Sequence, residues 1–92
     1  MKSDLFLTQA IKEMEKREDV YDSPGGERSM ERTVAVFNEL TGHNLTEEQG
    51  WKFMCCLKLV RSGKGKFQAD DYIDLSAYAG LAGEAAAKGQ LD

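Results

Sequence analysis

Apolar residues recur along this chain every three to four positions and nowhere alternate over a strand-length run, so the pattern predicts helices throughout. The first run places Leu7, Ala10, Ile11 and Met14 at i, i+3, i+4 and i+7, with Lys12, Glu13, Glu15, Lys16 and Arg17 on the remaining surface, and Ser3 or Asp4 stands where an N-cap belongs. From Glu18 to Arg28 the period is lost. There Asp22-Ser23-Pro24-Gly25-Gly26 joins a proline that fixes φ to glycines that permit positive φ, which predicts a structured loop.

Ser29 is placed to cap a second helix from Met30 to about Thr41, with Met30, Val34, Phe37 and Leu40 inward and Gly42 at the terminating position. Thr46-Glu47-Glu48-Gln49 matches a capping box with two acids in the first turn, where the helix dipole favours them. The segment that follows, Trp51 to Arg61, is apolar on nearly every side, which predicts a central helix on which the others pack. Ser62-Gly63-Lys64-Gly65-Lys66 breaks it, and Asp70 or Asp71 caps a fourth helix running to about Lys88. The large side chains of that helix, Ile73, Leu75, Tyr78 and Leu81, are separated by Ala77, Ala79, Gly80, Ala82 and Gly83, small residues that let another helix approach closely. The expected fold is a single all-α domain over residues 1–92, a four-helix bundle with helices 3 and 4 as an antiparallel hairpin. Helices 1 and 2 pack across that hairpin. The small-residue surface of helix 4 favours a homodimer.

Length adds that one core is the limit, since 92 residues fall just below the usual domain size of roughly 100–150. Twelve Lys and Arg against 16 Asp and Glu leave a formal charge of −4, the wrong sign for a whole-surface nucleic-acid binder. No apolar run approaches the roughly 18 residues of a membrane span. Met1-Lys2-Ser3-Asp4 puts an acid where a signal peptide is cationic and then apolar, so the expected location is the cytoplasm. Cys55 and Cys56 are adjacent in a helical segment, cannot bridge each other there, and read as core thiols. With His43 alone besides them, zinc lacks a regularly spaced ligand set, and neither a metal nor a cofactor is expected.

Two constellations carry charge toward possible chemistry. Lys58 and Arg61 lie one turn apart on helix 3, as do Asp71 and Asp74 on helix 4, and an antiparallel hairpin brings the pairs together. They form either a partly buried network that fixes register or a site for a phosphate or carboxylate ligand. The second constellation is the glycine loop before Ser29, whose free amides and Arg28 suit an anion at a helix N-terminus. It lacks the Gly-Lys-Ser/Thr ending of a P-loop. Lys64 and Lys66 read as a solvated turn, and His43 has no nucleophilic partner beside it, so no catalytic residue is assigned.

The succession Tyr21-Asp22…Gly26-Glu27-Arg28-Ser29-Met30…Thr33-Val34…Phe37-Asn38…Thr41-Gly42…Leu45-Thr46-Glu47…Gly50-Trp51…Met54…Leu57-Lys58…Val60-Arg61, then Asp70…Asp74…Ala77-Tyr78-Ala79, resembles small proteins of tailed phages and prophages over nearly the whole chain. More distantly, Lys58…Arg61, a loop, and Asp71…Asp74…Tyr78 resemble the all-helical MazG-like nucleotide pyrophosphohydrolases over about a third of it. That second resemblance implies two acidic sets holding magnesium against phosphates, of which Asp71 and Asp74 stand for one. The facing helix offers Cys55, Lys58 and Arg61, with no acid between Trp51 and Arg61, so one chain does not supply the four acids. The function these resemblances imply is a non-enzymatic accessory protein that binds a protein of the bacterial host, as an inhibitor of host defence. The alternative is a nucleotide-binding or nucleotide-processing protein with a degenerate site. The candidate binding residues are Arg28, Ser29, Lys58, Arg61, Asp71, Asp74 and Tyr78.

Overall fold

The computed structural model describes residues 1–20 and 29–91, with side chains assigned outside 18–20 and 91. Four helices account for nearly all of it: α1 (Ser3–Val20), α2 (Ser29–Thr41), α3 (Glu47–Ser62) and α4 (Ala69–Leu91). The order is all-α, as the 3.6-residue period predicts, and α3 and α4 form the closely packed antiparallel hairpin. Helix α1 packs on α4 and α2 packs on α3, so the expected four-helix bundle closes around the hairpin from two different helices. Helix α1 runs to Val20, past the expected break at Glu18, and the loop around Gly25 and Gly26 lies outside the described residues.

Local chemistry sets the boundaries. The Thr46 side chain accepts the Gln49 amide at 3.1 Å while the Gln49 side chain accepts the Thr46 amide at 3.0 Å, the reciprocal capping box that starts α3. Gly42 ends α2 at φ +77°, and Gly65 turns the hairpin at φ +66°, conformations in which a Cβ is strained. Between α2 and α3 the Asn38 side chain both donates to the Leu45 carbonyl and accepts the Leu45 amide, each at 2.9 Å, which fixes the connecting segment.

The central helix is α4, which corrects the sequence expectation of α3. Its Tyr78, Leu81 and Ala82 join Trp51 of α3 and Met30 and Val34 of α2 in one core, and its Ile73 and Ala77 join Ala10 of α1 in a second. Of the small residues on α4, Ala77 and Ala82 are therefore used inside the chain, while Ala79, Gly80 and Gly83 face solvent. Helix α1 is also rotated from the expected stripe: Ala10 is buried, Met14 and Phe6 half-buried, and Leu7 and Ile11 exposed. On α2, Met30 and Val34 are buried as expected, but Phe37 and Leu40 are exposed. On α3 only Gly50, Trp51 and Lys58 are buried, and Phe53, Leu57, Leu59 and Val60 are exposed.

Gly50 is where α2 crosses α3. A Cβ built on it would collide with Met30 Sδ and stand 2.8 Å from Val34 Cγ1, whereas one on Gly80 meets nothing within 4 Å. Gly50→Ala is accordingly expected to lower stability by about 1–3 kcal/mol through overpacking, and Gly80→Ala to raise it by up to ~1 kcal/mol through helix propensity. Urea denaturation of the two variants checks the pair, and a neutral Gly50→Ala would show that α2 is free to shift.

Candidate functional site

The antiparallel register brings only part of the charged constellation together. Lys58 Nζ lies 2.8 Å from Asp74 Oδ2, with the lysine side chain 10% and the aspartate side chain 25% exposed. Both come from positions facing the partner helix, one turn in from the hairpin end. At the opposite end Lys88 Nζ lies 3.3 Å from Glu47 Oε1, so the hairpin carries an ion pair near each extremity. Arg61 is exposed and forms no ion pair among the described residues, which removes it from the expected four-residue set. A long guanidinium at the end of α3 keeps its head in water. Asp71 is buried in the first turn of α4, where a carboxylate suits the helix dipole, and it too forms no ion pair among the described residues.

Tyr78 is buried and stacks on Trp51, ring centroids 5.6 Å apart at 22°, which makes its ring part of the core. Beside Asp74 and Tyr78, between α1 and α4, is a cleft lined also by Glu13 and Arg17 with a volume of only about 10 Å³, room for roughly one water molecule. Ser29 is exposed at the start of α2, and its carbonyl accepts the Thr33 hydroxyl at 2.7 Å. Arg28 and the glycines before it lie outside the described residues.

A larger opening lies elsewhere. Phe6 and Leu7 of α1, Phe67 of the hairpin loop, and Tyr72 and Ser76 of α4 line a cleft of about 540 Å³ together with Ser3. Tyr72 is its hub: Phe6 meets it edge-on at 6.1 Å and Phe67 stacks on it at 6.0 Å. Ser76 Oγ donates to the Tyr72 carbonyl at 2.9 Å and so serves the helix. No carboxylate, cation, histidine or cysteine lines this cleft, so it suits apolar and aromatic groups. Sequence reading missed it because its three rings come from three separate segments. The available signal was Phe67 standing beside the hairpin turn, five residues before Tyr72 and outside any apolar stripe.

A second, smaller groove of about 250 Å³ separates α2 from α3, lined by Met30, Val34, Phe37, Phe53 and Met54 among others, again with no charged residue. Both cysteines are free thiols; Cys55 is half-buried, and Cys56 is exposed, which corrects its expected place in the core. Burial, with a smaller effect from the neighbouring Cys56, pushes the Cys55 thiol above its ordinary pKa. Among the described residues no three His, Cys, Asp or Glu side chains gather to hold a metal ion, and no helix is long and apolar enough to cross a membrane.

The family described as a domain of unknown function, DUF6378, matches residues 6–86, and the chain belongs to that family. No curated protein and no solved structure matches it.

Proposed function

We propose that this DUF6378 member is a non-enzymatic binding protein that takes apolar and aromatic side chains of a protein partner into the cleft around Tyr72. The observation that carries this reading is the cleft itself: three rings, no charge, and a volume suited to a few side chains. Aromatic residues at the rim of an open cleft are the anchors on which protein interfaces concentrate their affinity. In this reading the partner is a cytoplasmic protein of a bacterial host and the role is inhibition of a host defence system, a reading supported by the resemblance to tailed-phage and prophage proteins.

The nucleotide alternative draws less support. Lys58, its best-placed cation, is already engaged by Asp74, and the adjoining cleft has no space for a base or a phosphate. Two measurements separate the readings. Nucleotides with and without Mg²⁺ are expected to leave the melting temperature unchanged, where a bound nucleotide at a hundred times its Kd would stabilise by roughly 2.7 kcal/mol. Affinity purification from host lysate is expected to retain a protein partner on the parent chain and to lose it about 30-fold on Phe67→Asp, the scale of one interface hot spot of ~2 kcal/mol. Phe67 is 63% exposed, so its replacement leaves the core intact. Equal retention by both chains, or a nucleotide-dependent rise in melting, overturns the proposal.

A further inference from the structure

The Tyr72 cleft opens where α1, α4 and the hairpin turn meet: the Phe6–Tyr72 contact joins the two helices at their N-terminal ends, and Phe67 stands between the turn and α4. Charge at this end has the opposite sign to the rest of the chain. Lys2 directly precedes Ser3 and Lys66 directly precedes Phe67, both wall residues, and Lys64 shares the turn with Lys66. All three lysines are exposed, and none forms an ion pair among the described residues. Against them stand Asp4 and Asp70, while the exposed Arg61 is matched in number by the buried Asp71. Four of the 12 cations against three of the 16 acids leave this end at +1, and the remainder, eight against thirteen, at −5. The acids here are also partly offset already. Asp4, Asp70 and Asp71 occupy the first turns of α1 and α4, where each helix's own partial positive charge meets them. The lysines have no such counter-charge.

We propose that the partner segment entering this cleft is acidic: an aromatic or large aliphatic anchor flanked by Asp or Glu. The inference rests on the cleft-binding reading above and adds the ligand's charge to it. No charged side chain lines the cleft, so the anchor enters without stripping water from an ion. Lysine stems are long and flexible enough to keep their ammonium groups in water at the rim, where flanking carboxylates arrive. Rim charges of this kind govern association rate and partner choice more than the lifetime of the complex. A basic segment is drawn to the acidic remainder of the surface and repelled at the cleft mouth, so charge selects where a partner binds as well as which. Single-stranded nucleic acid also combines rings with negative charge. Its charge repeats at every nucleotide, however, and beyond this small end the strand would run onto a surface carrying −5.

Selection from a random dodecapeptide display library on the parent chain, with Phe67→Ala as counter-selection, tests the inference. Peptides that the parent enriches and Phe67→Ala does not are expected to carry an aromatic or large aliphatic residue with Asp or Glu beside it. The tightest of them, fluorescein-labelled, is expected to bind the double variant Lys64→Gln, Lys66→Gln about tenfold more weakly than the parent at low salt. In molar salt, where charges are screened within about 3 Å, that ratio is expected to fall toward one. Lys12→Gln with Lys16→Gln, the same loss of charge on the exposed middle of α1, is expected to leave binding unchanged. Neutral or basic peptides that depend on Phe67, or acidic ones indifferent to the two turn lysines, overturn the inference and leave the cleft reading standing. A selection that yields no Phe67-dependent peptide overturns both. A labelled oligothymidylate that binds the parent more tightly than the best peptide, and is lost on Phe67→Ala, overturns both in favour of nucleic acid.

Discussion

Trp51→Ala is expected to cost about 3–5 kcal/mol, the usual scale for removing a buried tryptophan. Trp51 is 3% exposed in the second turn of α3, where it stacks on Tyr78 and packs with Met30, Val34, Leu81 and Ala82. It is the side chain through which α2, α3 and α4 share one core. The core around it is thin, since among the described residues no large side chain falls below 2% exposure, so little neighbouring apolar mass is available to fill the space left behind. Against a total stability of roughly 5–15 kcal/mol such a loss is a large fraction, and at 4–8 °C per kcal/mol it corresponds to a drop in Tm of about 12 °C or more. Trp51→Phe keeps a ring over Tyr78 and is expected to cost less than half as much. Circular dichroism is the probe of choice because Trp51 is the sole tryptophan and its replacement removes the fluorophore. A variant that melts within 2–3 °C of the parent, on the scale of under about 1 kcal/mol, would mean that α2 is held by something other than this core.

The sequence makes helix ends more legible than helix faces, and the reason is physical. A cap is local: Thr46 and Gln49 satisfy each other's amides whatever surrounds them, and Gly42 and Gly65 are needed wherever φ turns positive. A buried face is decided by the neighbour. In α1 two stripes share Ala10 and Met14, one completed by Leu7 and Ile11 and the other by Phe6; close approach of Ala10 to Ala77 favours the second. In α2 the crossing at Gly50 buries Met30 and Val34 and leaves Phe37 and Leu40 in water. The apolar circumference of α3 reads as central burial, yet the small residues of α4 admit helices on two sides and make α4 the hub. Of the candidate site, the pairing of Lys58 with Asp74 follows from hairpin register alone. The aromatic cleft does not, because its walls meet only after α1 has docked on α4.

That ion pair is where the structural and nucleotide readings predict opposite outcomes. If Lys58 and Asp74 fix the register of the hairpin, Lys58→Met strands a carboxylate beside a buried methionine, and Asp74→Asn leaves an ammonium whose side chain is 10% exposed without its counter-charge. Breaking a fully buried pair costs about 3–5 kcal/mol; with the aspartate a quarter exposed, water screens part of the loss, and about 2–3 kcal/mol is expected for Lys58→Met. Asp74→Asn should cost less, because its amide oxygen still accepts from the lysine. The double variant Lys58→Met with Asp74→Leu replaces both charges by apolar groups and is expected to lie closer to the parent than the sum of Lys58→Met and Asp74→Leu taken singly. Arg61→Met, removing an exposed cation with no ion pair among the described residues, is expected to change stability by no more than about 0.5 kcal/mol. Chemical denaturation of the cycle together with Arg61→Met measures each term. Were the lysine held near the carboxylate for a ligand's sake, its removal would leave stability unchanged or raise it while abolishing nucleotide binding. Two single variants as stable as the parent would therefore transfer the charged pair from the hairpin's architecture to a binding site.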